Sequence, residues 1–179
     1  SLAEALEVLS TTAEQVRESH PDQAVELWAE GVKVAFFLAD TAFLRRAVTA
    51  LEERLPQVRS AQTAVVGELA AGMARTLTGQ GGSDQIRRAV DRLASSELLR
   101  SDPLRADWLI LGPLYLREEG QYRALVQRAL QNTRTGVALG ALAHLLLHVA
   151  LDDAAGEGWA RAEGEYHESI ALAREAGQD

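Results

Sequence analysis

Residues 102–130 read DPLRADWLILGPLYLREEGQYRALVQRAL, and the reading of this stretch decides the fold. Trp108, Leu111, Gly112 and Tyr115 fall in the spacing W-x2-L-G-x2-Y, and Ala124 follows nine residues after Tyr115. Trp108, Leu111 and Tyr115 recur at three or four residues, so they share one face of a helix. Gly112 and Ala124 are small, so two antiparallel helices can approach closely there. Gly112-Pro113 lies inside the first helix, and an interior proline predicts a kink or a split. Glu119-Gly120-Gln121 then turns the chain into a second helix near 122–132.

Upstream, Leu2, Leu6, Leu9, Ala13 and Val16 mark one amphipathic helix that ends near His20-Pro21. Pro21 opens a second, with Val25, Trp28, Val32, Ala35 and Ala39 as its buried stripe; Val34, Phe36, Phe37 and Leu38 widen its apolar surface, which predicts packing on two sides. Thr41 is the expected cap of a third helix over 41–55, with Leu44, Val48, Leu51 and Leu55 facing inward and Pro56 as its stop. A fourth runs over 59–78 and ends at Gly79-Gln80-Gly81-Gly82. The fifth begins at Ser83-Asp84 and is expected to bury Ile86, Ala89, Val90, Leu93 and Leu98. Downstream, 135–151 is strongly apolar, 152–158 reads as a long turn, and 159–176 is the last helix, stopped by Gly177.

Three consecutive pairs follow, near 59–99, 103–132 and 135–176, and a first pair near 2–38. The helix over 41–55 stands as an extra element. Ala89, Ala124 and Ala162 recur in the second helices at spacings of 35 and 38. Ala24-x3-Trp28-x2-Gly31 and Ala162-x3-Tyr166-x2-Ser169 repeat a small–large–small pattern. These features resemble tetratricopeptide repeats, whose period is about 34 residues. The resemblance implies an all-α fold of about nine helices, with antiparallel pairs stacked into a right-handed superhelix as a single domain over 1–179.

The 179 residues carry a net charge of −8, and Lys33 is the sole lysine among 18 basic residues. Phosphate backbones are read by clustered Lys and Arg, so direct contact with nucleic acid is not expected. The absence of cysteine excludes disulfides and thiolate metal sites and fits a cytoplasmic protein. No apolar run is long enough for a membrane span. The chain starts Ser1-Leu2-Ala3-Glu4, without a basic leader; Ser1 reads as a cloning remnant and the chain as a fragment of a longer protein.

No catalytic signature is found. Gly79–Gly82 lacks the lysine of a phosphate-binding loop and reads as an interhelix turn. The residues three before His20, His144, His148 and His167 are Arg17, Ala141, Leu145 and Gly164, so the Glu-x-x-His pairs of di-iron bundles are missing. His144 and His148 share a helix face, and a metal there would need further ligands such as Asp152 or His167. Two partly buried, locally bonded histidines are the expected reading. The tryptophans are expected as packing residues, and Arg45-Arg46, Arg87-Arg88-Arg92 and the glutamates of the last helix as solvated faces. No catalytic, cofactor or metal residue is assigned.

The last helix, GWARAEGEYHESIALAREAGQD, with DQAVELWAEGVKVAFFLAD and RADWLILGPLYL, resembles the repeat arms of large LuxR-type, MalT-like ATP-dependent transcriptional regulators. That resemblance implies a non-catalytic sensor arm. Its concave face would bind a protein or small-molecule effector, with self-association open to it. ATP-binding and DNA-binding domains would lie elsewhere in the parent. The alternative is a stand-alone tetratricopeptide adaptor that docks a peptide or protein.

Overall fold

The structure is a computed structural model that describes residues 1–96 and 139–177, with Trp108, Leu111, Gly112, Tyr115, Leu116, Leu130, Gln131 and Arg134 between them. Two compact units divide the chain, Ser1–Arg92 and Leu93–Asp179. Among the described residues there are seven α-helices, one 3-10 turn and no strand. None of these helices is long and apolar enough to cross a membrane.

The first unit is built on α1 (Leu2–Val16), α2 (Pro21–Leu38), α3 (Thr41–Arg54), α4 (Ala61–Leu77) and most of α5 (Ser83–Ser95). The start of α1 is fixed by a capping box. The Ser1 hydroxyl accepts from the Glu4 amide at 3.3 Å, and the Glu4 carboxylate accepts from the Ser1 amine at 2.7 Å. Pro21 is the first residue of α2, where a missing N–H costs nothing. The cap of α3 is Asp40, not Thr41: its carboxylate accepts from the Phe43 amide at 2.9 Å, and Thr41 is already helical. Asp40 holds the position from which a short carboxylate reaches the orphan amide three residues on. Pro56 closes α3 through the 3-10 turn Leu55–Gln57.

The apolar breadth of α2 is used on three sides, since it packs against α1, α3 and α4. Phe37 and Leu38, at its end, are exposed. Helix α3 packs on both α2 and α4, so it sits inside the first unit. Small residues set the spacing. A Cβ on Gly31 would come within 2.6 Å of the Phe43 ring, which explains a glycine in the small–large–small pattern of α2. Gly79, Gly81 and Gly82 have φ of 73°, 81° and 128°, so the turn into α5 needs left-handed backbone. Ile86, Ala89, Val90 and Leu93 of α5 are fully buried, as their spacing predicts.

The described part of the second unit centres on a hairpin, α6 (Leu139–Ala155) and α7 (Trp159–Glu175), packed closely together. The turn is much shorter than the expected 152–158, because Asp152 to Ala155 continue α6. Only three residues remain between the helices, with the Gly158 amide donating to the Asp153 carbonyl at 2.7 Å. Gly177, at φ 71°, follows the end of α7. Trp108, Leu111 and Gly112 are helical and buried, and Tyr115 is helical and half-buried. Leu98, Pro113 and the kink it would make, Ala124 and most of the helix near 122–132 lie outside the described residues.

Candidate functional site

An open groove of about 800 Å³ lies in the first unit between α1 and α3. Its position follows from how α2 is anchored. Asp22, in the first turn of α2, accepts from the Ser60 amide at 2.8 Å and the Arg59 amide at 3.2 Å. These amides, Ser60 foremost, hold the Asp22 carboxyl below the usual carboxylate range. The Thr63 hydroxyl donates to Glu26 at 2.7 Å. Helix α2 is thereby tied to the start of α4. On its other sides it carries α1 and α3, whose residues form the groove walls.

One wall presents Ser10, Thr11, Glu14 and Gln15 of α1; the other presents Arg46, Thr49, Glu53 and Arg54 of α3; Trp28 of α2 joins them. The Trp28 ring packs on Phe43 at 5.3 Å between centroids, and the Arg46 guanidinium lies 5.5 Å from the Phe43 centroid. Arg54 is buried. Its Nη1 donates to the Ala50 carbonyl at 2.9 Å, and its Nη2 donates to both oxygens of Glu14 at 3.0 and 3.1 Å. Glu14 also accepts from Arg17 at 3.2 Å. Two buried donors lining this groove, Trp28 Nε1 and Arg54 Nε, find no acceptor in the protein. Neither group can accept a hydrogen bond, so only an acceptor can satisfy them. Leaving a buried donor unmade costs about 1–3 kcal/mol, which makes a pair of them at one groove notable.

The second unit brings His144 and His148 together as their spacing predicts. Their rings meet edge to face at 4.5 Å, with the Nε2 atoms 3.1 Å apart. One Nε2 must donate and the other accept, so the contact requires a neutral ring at one of the two. His148 is fully buried and His144 exposed. Among the described residues no three or more His, Asp or Glu side chains converge on a metal-sized site.

The tryptophans divide. Trp28 and Trp108 are buried, at 4% and 1% exposure, but Trp159 is 68% exposed. The expectation of three packing tryptophans fails at Trp159 because it is the first residue of α7, ahead of the stripe that meets α6. Arg46 is exposed, as expected of a solvated face, and it also borders the open groove. Glu14 and Arg54 went unmarked in the sequence. A signal was present: Arg54 continues the inward stripe Leu44, Ala47, Leu51 at helical spacing, and a charge there needs a partner. On α7, burial and then the nearby Asp153 carboxylate push Glu165 up to about 7. Comparisons with family models, curated proteins and solved structures give no match for this chain.

Proposed function

We propose that the chain is a non-catalytic, tetratricopeptide-like ligand- or partner-binding arm of a cytoplasmic LuxR-type, MalT-like regulator. The observation that carries the binding role is the groove of the first unit, where α1 and α3 line one side of α2 and two buried donors stand without acceptors. In this reading α1 with α2 and α4 with α5 are pairs of a right-handed superhelix, and α3 is the extra helix between them. Effector binding would favour one conformation of the parent over another, by no more than its difference in affinity for the two. The arm itself would hold no cofactor and touch no DNA; ATP and DNA would belong to other domains.

The test is the native gene product. A phosphate-binding loop upstream of these residues and a helix-turn-helix downstream are expected. A native polypeptide confined to these residues would defeat the regulator and leave the stand-alone adaptor, which rests on the same groove.

A further inference from the structure

We infer that the groove between α1 and α3 binds an extended acidic peptide, whose carboxylate side chain takes the place that Glu14 holds on Arg54. The inference rests on the reading of this face as the arm's binding surface, and it adds the chemistry of the partner. Three observations support it. First, the groove carries three arginines (Arg17, Arg46 and Arg54) against two glutamates, Glu14 and Glu53, a local excess of +1 on a chain of net charge −8. Second, the buried polar groups at the groove without partners are donors only, Trp28 Nε1 and Arg54 Nε, so they call for an acceptor. Third, the groove is open along two helices, which suits a ligand laid lengthwise better than a small molecule, since small-molecule pockets enclose most of their ligand.

Glu14 shows how such a carboxylate would sit. Its two oxygens lie 3.0 and 3.1 Å from Arg54 Nη2, yet its side chain is 44% exposed while that of Arg54 is 8% exposed. The carboxylate is thus the more accessible partner, and the guanidinium the more enclosed one. Arg17, already 3.2 Å from Glu14, keeps it paired when a peptide carboxylate arrives. The exchange swaps one charge-assisted pair for another, and the two donors without acceptors belong to residues that line the same groove.

The experiment follows the Trp28 indole N–H resonance of the ¹⁵N-labelled full chain, assigned with the Trp28→Phe variant. The probe is a capped hexapeptide of alternating Asp and Leu, with its Asn–Leu counterpart and free succinate as controls. The Asp peptide is expected to shift this resonance saturably and to bind about tenfold more tightly than the Asn peptide, the effect of one hydrogen bond to a charged group. The Glu14→Gln variant, which keeps an acceptor for Arg54 but removes the competing charge, is expected to bind the Asp peptide roughly threefold more tightly. No shift at millimolar peptide, or weaker binding by Glu14→Gln, overturns the inference. Equal binding of both peptides overturns the acidic preference and leaves the groove as the arm's binding surface. An equal response to succinate overturns the peptide as the source.

Discussion

Helices in the first unit share a buried apolar core and are also tied near their ends by hydrogen bonds between distant residues, whereas the α6–α7 hairpin has a buried tie of this kind further along its length. Asp22 on α2 fixes the entry to α4, and Arg54 at the end of α3 fixes the end of α1. On α6 the buried side chains Leu142, Leu145, Leu146 and Val149 are apolar and without direction. One buried directional tie is the Ser169 hydroxyl, which donates to the Ala143 carbonyl at 2.7 Å. The salt bridges Arg134–Glu168 and Arg161–Asp153 involve exposed arginines, where such pairs contribute little. Around α2, where several helices meet, hydrogen bonds between distant residues add to the short connections between neighbouring helices.

The sharpest way to break this contrast is a pair of tryptophan truncations. Trp28→Ala is expected to cost about 3–5 kcal/mol, because a buried ring and its contact with Phe43 are lost. Trp159→Ala should change stability by less than about 0.5 kcal/mol, as an exposed residue. Urea titration of both variants checks this, and equal losses would end the distinction.

Glycines give the second comparison. A Cβ on Gly67 would fall 2.6 Å from Val25 and 2.9 Å from Leu55, so Gly67→Ala should destabilise by about 1–3 kcal/mol. Around Gly164 there is nothing within 4 Å, so Gly164→Ala should stabilise α7 by roughly 0.5–1 kcal/mol. Opposite signs in thermal melts are the expected result.

Ser169→Ala probes the buried tie of the hairpin and should cost about 1 kcal/mol in urea titration. The smallest effect concerns Glu165. Its folded pKa of about 7 lies above the ordinary glutamate value of 4.5, so the folded chain binds the extra proton between these values. The resulting stabilisation is present below about pH 4.5 and is lost as pH rises through 7. Glu165→Gln should therefore flatten the melting midpoint between pH 5 and 8, with its gain at pH 8. An unchanged pH slope would show that Glu165 does not titrate in this range.

Much of the helix layout was legible because periodicity, prolines and glycines act locally. The stripe of α5 and the stop at Gly177 follow from spacing alone. The turn after α6 was not legible, because Asp152 and Asp153 are common turn residues, yet the helix runs on to Ala155. The groove was legible only as an oddity, Arg54 on an apolar stripe. Its partner Glu14 lies 40 residues away, a separation that no local pattern encodes.

By itself the sequence determined a cysteine-free, acidic chain of amphipathic helices, because composition and a period of about 3.6 residues act within a few turns. Only the tertiary structure decided that α2 carries α1, α3 and α4 around it, that Trp159 faces water while Trp28 is enclosed, and that Glu14 meets Arg54 beside two donors in need of an acceptor. Those outcomes depend on which faces meet once the chain is compact, and hydrogen bonds between distant segments exist only then.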